Sequence, residues 1–147
     1  MSSRSQRPIV WPFLIAGLLS LVGLADAIYL TVQDLTGQNL RCTIISGCGE
    51  VLGSKYAHIG PVPLAVVGAF AYFTVFSLSI LAAFGYRLAR PLLTALVGIM
   101  FLMTLWLLYL QAFVIHHFCQ YCLLSAAVTI TLTILILITS RLGRPSQ

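Results

Sequence analysis

The chain has 147 residues, of which 60% are hydrophobic and only 7% charged, and a mean hydropathy of +1.03. Soluble globular domains carry about 25% charged residues, so this composition excludes an ordinary soluble fold. Eight Lys/Arg against three acids give a formal charge of +5, but the basic residues stand singly between apolar runs and form no basic face, which argues against a nucleic-acid partner.

The first apolar run extends from about Ile9 to Leu30, behind Arg4 and Arg7. It is too long for the 7–15-residue core of a signal peptide, and Ala25-Asp26-Ala27 makes a poor cleavage site, so it is read as a retained transmembrane helix. Trp11 and Tyr29, near its opposite ends, read as membrane-interface anchors. Asp26 is costly inside a span and by default points to function, such as proton relay to a quinone. The alternative is a structural or interfacial role, because it is placed about one turn from the outer end, within reach of water or Lys55.

The segment from about 31 to 61 is irregular. Thr36-Gly37-Gln38-Asn39 is a turn signal, Ser46-Gly47-Cys48-Gly49 carries glycines that permit unusual backbone angles, and Glu50–Tyr56 has the composition of a short helix along the membrane surface. Gly60-Pro61-Val62-Pro63 then breaks the chain and starts the next helix. A loop of this length in so small a membrane protein is expected to serve as a cap or binding element.

Three further apolar runs follow, at about Val62–Phe84, Leu92–Val114 and Leu123–Thr139. Each approaches the ~20 residues an α-helix needs to cross a hydrocarbon core. The turn Gly85–Pro91 between the second and third is short enough to require an antiparallel pair. The expected fold is therefore an all-α integral-membrane protein: a single domain, 1–147, forming a four-transmembrane-helix bundle with a loop/cap segment between helices 1 and 2.

Arg4, Arg7, Arg87, Arg90, Arg141 and Arg144 flank one side of this arrangement, and only Arg41 and Lys55 the other. The positive-inside rule places both termini in the cytoplasm and the cap segment outside. All four cysteines then face the oxidising compartment, where disulfides persist. Cys42 and Cys48 lie in the cap, and Cys119 and Cys122 form a CxxC at the outer start of the fourth helix.

A cysteine at a helix N-terminus meets unsatisfied N–H groups and the positive end of the dipole, both of which favour the thiolate. His116 and His117 stand beside Cys119 as candidate positive charges or as interface residues. Cys122, one turn deeper, is expected to face the bundle interior, where a lipid-soluble oxidant such as a quinone can reach it. Cys42 and Cys48 are placed to meet a soluble thiol protein. The arrangement reads as an electron relay from a partner's dithiol, through Cys42–Cys48 and then Cys119–Cys122, to a membrane oxidant. The alternatives are a zinc site, although Cys-x5-Cys is not usual zinc spacing, and purely structural disulfides. No metal is expected.

With the residues in this order, the sequence resembles the vitamin K epoxide reductase family. The resemblance rests on "CTIISGCGEVLGSKYAHIGPVPLAVVGAFAY" followed two helices later by "FCQYC", with "GLADAIYLT" similar to the family's first helix. It covers nearly the whole chain and implies a four-helix bundle around a quinone-type ring. It also implies that Cys42 exchanges with a partner, Cys48 passes electrons to Cys119, Cys122 faces the quinone, and Ser54 lines the capped pocket. Leu64 stands where the animal enzymes carry a ring-binding asparagine, and Ala126 replaces a tyrosine four residues after their CxxC. Simple quinone reduction is therefore expected rather than epoxide reduction.

The expected protein is a membrane thiol oxidoreductase of a bacterial inner membrane, supporting disulfide formation. Its quinone would be ubiquinone or menaquinone, with vitamin K a further candidate. Its partner would be a separate DsbA-like or thioredoxin-like protein, since no such domain follows before Gln147. A DsbB-type oxidase, which usually carries its CxxC in the first outer loop, is the nearest rival.

Overall fold

The computed structural model describes residues 10–36, 55 and 58–142. Four long helices follow one another: α1 (Trp11–Leu35), α2 (Leu64–Ala83), α3 (Ala89–Tyr109) and α4 (Gln120–Leu142). A π-helical segment, Leu110–Ile115, continues α3. All four helices are long and apolar enough to cross a membrane.

The helices form a ring in which α1 packs on α2, α2 on α3, α3 on α4 and α4 back on α1. This is the expected four-helix bundle. Its outward faces remain apolar: Leu18, Phe70, Leu102 and Phe113 are each more than 60% exposed. In water such faces would have to be covered; in a bilayer they face lipid tails.

Polar anchors mark one end of the bundle. α1 starts with Trp11, which is 77% exposed as an interface anchor would be, and the Arg90 guanidinium lies 5.3 Å from the centre of the Phe13 ring. Gly85 turns the chain between α2 and α3 at φ 94°, a conformation that costs glycine least.

The other end differs from the sequence reading in three respects. α1 continues five residues past Leu30, to Leu35, so Asp26 lies nine residues inside the helix end rather than one turn from it. Thr31 and Thr36 each return a hydroxyl hydrogen bond to the carbonyl four residues back, which satisfies their polar groups within the helix. Secondly, a small antiparallel hairpin, β1 (His58–Ile59) and β2 (Val62–Pro63), leads into α2 around Gly60 at φ 64°. His58 Nε2 lies 3.2 Å from Asp34 Oδ2, tying this hairpin to the last turn of α1. Thirdly, α4 begins at Gln120, and the third span widens into a π-helix that ends at His116 in left-handed geometry, φ 60°.

Small residues let α1 approach its neighbours closely. Ala16, Gly17, Ser20, Gly23 and Ala27 form its buried stripe, the usual device where lipid supplies no hydrophobic drive between helices. At Gly23 the contact is with Tyr72, whose ring occupies the space a Cβ would need. The Tyr72 hydroxyl crosses the bundle to α4, lying 3.0 Å from the Ser125 carbonyl, 2.7 Å from Ser125 Oγ and 2.9 Å from Thr129 Oγ1.

Gly23→Ala is expected to lower stability by about 1–3 kcal/mol through overpacking against this ring. Tyr72→Phe should cost only about 1 kcal/mol, because the two hydroxyls on α4 can return to carbonyls of their own helix. Thermal unfolding in detergent checks the order; a Gly23→Ala protein as stable as the unaltered one would show that the Tyr72 ring can move aside.

Candidate functional site

Cys119 and Cys122 lie at the end of the bundle opposite the arginine turn, and both are thiols. Cys119 is the residue at which α4 starts: its carbonyl accepts the Leu123 N–H at 2.9 Å. Its side chain is fully buried. The Cys122 side chain donates to its sulfur, and the backbone N–H groups of Cys122 and Tyr121 converge on it. These hydrogen bonds, with Cys122 the largest contributor, hold the Cys119 thiol down at about 7 although burial and the Asp26 carboxylate oppose them.

Cys122 lines a cavity of about 350 Å³ to which all four helices contribute. Its walls are mainly apolar: Ala27 and Leu30 of α1, Leu64, Val67 and Gly68 of α2, Leu96, Met100, Met103 and Leu107 of α3, and Ala126 of α4. A few polar groups reach it, namely Asp26, Asp34, Tyr72, Thr104, Gln111, Ser125 and Thr129. A mostly apolar cavity of this size with sparse polar groups is what a small ring-shaped ligand requires.

The sequence-derived candidates divide accordingly. Leu64, Asp26 and Cys122 all line this cavity, and Ala126 does so too. Asp26 is 7% exposed, and its Oδ2 has no hydrogen-bond partner among the described residues. Phe70 of the second apolar run points outward and is 70% exposed on a shallow outer groove. Tyr29 is only partly an outward anchor, since its ring packs 5.2 Å from that of Tyr121 beside the CxxC. Cys42, Cys48 and Ser54, and the short helix expected over Glu50–Tyr56 apart from Lys55, lie outside the described residues.

Sequence reasoning missed Gln111. It is 3% exposed, lines the cavity, and its Oε1 accepts the Cys119 N–H at 3.2 Å. The available signal was a lone carboxamide in the third apolar run, eight residues before Cys119. Asp34, in the segment read as irregular, sits at the end of α1 on the cavity wall and pairs with His58.

Reaction of Cys119 with a small thiosulfonate reagent should rise with pH around a midpoint near 7, because only the thiolate reacts. In Cys122→Ala the main stabilising hydrogen bond is gone, and the midpoint should move up toward the free value of about 8.5. Stopped-flow rates across pH 5–10, with Cys42 and Cys48 replaced by alanine throughout, check both; a midpoint that stays put in Cys122→Ala would remove that hydrogen bond from the account.

Comparison with known proteins agrees with this geometry. The profile of the vitamin K epoxide reductase family matches residues 14–137, which include all four helices' cavity-lining positions and all four cysteines. A curated relative, the thiol-disulfide oxidoreductase LTO1 of Arabidopsis thaliana, is 46% identical over 55 residues. The aligned stretch is 37% of this chain and 15% of that protein.

Proposed function

The chain belongs to the vitamin K epoxide reductase family and is an integral membrane protein, and from this premise we propose that it is a thiol oxidoreductase that passes electrons from an extracytoplasmic thiol protein to a quinone. The observation that carries the reading is the CxxC dithiol placed with its buried member at a helix N-terminus and its second member on an apolar cavity inside a membrane-spanning bundle.

The residues present fit a quinone. The cavity volume of about 350 Å³ falls in the range of small-ligand sites, its walls suit a ring and an isoprenoid tail, and the unpartnered Asp26 Oδ2 is a polar group on its wall. When bound there, a quinone supplies an acceptor for two electrons and two protons. Cys119 and Cys122 would supply both: each thiol would give up one electron and one proton as the Cys119–Cys122 disulfide forms.

The pair is then restored by exchange. A Cys48 thiolate attacks Cys119, the Cys119–Cys122 bond breaks, and Cys122 takes up a proton. Cys42 next attacks Cys48, releasing Cys119 as a thiol and leaving a Cys42–Cys48 disulfide. A partner's dithiol reduces this bond at Cys42 and becomes oxidised itself. A partner of DsbA type, near −120 mV, is a strong oxidant among dithiols, so only a higher-potential acceptor such as a quinone keeps it oxidised. The product is a supply of disulfides for secreted proteins.

Ser54, in the cap, is assigned to the pocket with Leu64 and Asp26. The Leu64 and Ala126 side chains on the wall offer no hydrogen bond, which supports plain reduction of ubiquinone or menaquinone over chemistry on vitamin K epoxide. The distribution of arginines, with Arg87, Arg90 and Arg141 at the end away from the CxxC, supports cytoplasmic termini and extracytoplasmic cysteines in a bacterial inner membrane.

Mixing the protein with a reduced DsbA-like partner and ubiquinone or menaquinone should bleach quinone absorbance, and Cys122→Ala should abolish this. Quinone reduction that survives in Cys122→Ala would remove that residue as the last donor. No reduction with either quinone by the unaltered chain would defeat the reading. In Cys42→Ala, which lacks the thiol that resolves it, a Cys48–Cys119 cross-link should accumulate and be visible by non-reducing electrophoresis after proteolysis; its absence would disprove exchange between the two pairs.

A further inference from the structure

Gln111 combines three features that a packing role does not explain. It is a polar side chain buried to 3% exposure inside an apolar span, it lines the same cavity as Cys122, and it belongs to the π-helical segment that ends just before the CxxC. Leu110 and Gln111 are both buried, whereas Tyr109 and Phe113 are half or more exposed. π-helical turns within a longer helix occur frequently at functional sites, where the wider winding redirects one side chain.

The hydrogen bond to Cys119 settles which end of the amide is which. A backbone N–H can donate only to an acceptor, so the atom 3.2 Å from Cys119 N is the carboxamide oxygen. The NH2 group, with two N–H donors, is not engaged by that bond. Electron transfer places negative charge on a carbonyl oxygen of the acceptor, and a donor already oriented by the protein stabilises that charge without reorganising.

Resting on the quinone reading above and deepening it, we infer that Gln111 donates a hydrogen bond from its NH2 group to a ring carbonyl oxygen of the quinone, while its oxygen holds the Cys119 backbone. One side chain then connects the start of the CxxC helix to the electron acceptor. It touches both reacting partners, so it is assigned a catalytic role.

The test uses the full chain with ubiquinone and with menaquinone, each isotope-labelled at its ring carbonyls, followed by infrared difference spectroscopy. In the unaltered protein one carbonyl band should lie below its position in apolar solvent. In Gln111→Met, which keeps the length but neither hydrogen-bonding group, that band should return toward the solvent value, and quinone reduction by the dithiol should slow about 100-fold. Gln111→Asn keeps the amide on a shorter stem and should fall between the two; it also preserves the comparison if Gln111→Met does not fold. A role confined to holding Cys119 would give the opposite split, with slower thiol exchange at Cys119 and carbonyl bands identical in every variant, and would overturn the inference alone. Failure of the unaltered protein to bind either labelled quinone would overturn it together with the quinone reading.

Discussion

The bundle depends on how closely α1 and α2 approach at Gly23, where the Tyr72 ring takes the space of a side chain. From there Tyr72 of α2 reaches Ser125 and Thr129 of α4, the helix diagonally opposite. In a bilayer the helices gain little by hiding apolar surface from lipid, so close packing and buried hydrogen bonds must define their arrangement. Tyr72 supplies both. It forms part of the cavity wall with Ser125 and Thr129, so the contact that holds the helices together also fixes one side of the site.

The chemistry is concentrated at one end for a related reason. A thiolate needs hydrogen-bond donors, and inside a membrane the free ones are at helix starts. α4 starts at Cys119, and its first N–H groups converge on that sulfur, while the carboxamide of Gln111 orders the backbone N–H of Cys119 itself. Cys122 follows one turn later, where the helix enters the apolar cavity. The CxxC spacing therefore joins a polar environment to an apolar one within a single helical turn.

Much of this was legible in the sequence. Four apolar runs separated by an arginine turn and a Gly/Pro entry require a four-helix membrane bundle, because no other backbone arrangement of this length satisfies its hydrogen bonds in lipid. The CxxC at the start of the last run was legible as a thiolate site for the same reason. Span ends were less so: α1 passes Leu30 because Thr31 and Thr36 bond back to the helix, so polar residues that look like loop continue it. Phe70 shows the complementary difficulty. In a span apolar on every side, composition does not distinguish an inward ring from a lipid-facing one.

What the sequence by itself determined is the class of protein, its four-helix membrane pattern and the place of the CxxC at the start of the last helix, since each follows from local composition and spacing. What only the tertiary structure decided is which residues share the cavity. Asp26, Leu64, Gln111 and Ala126 come from three helices and a π-helical segment separated by up to 100 positions in the chain. Their meeting depends on the rotation of each helix about its axis. That rotation is set by contacts such as Gly23 against Tyr72, and hydropathy carries no record of it when all faces are equally apolar.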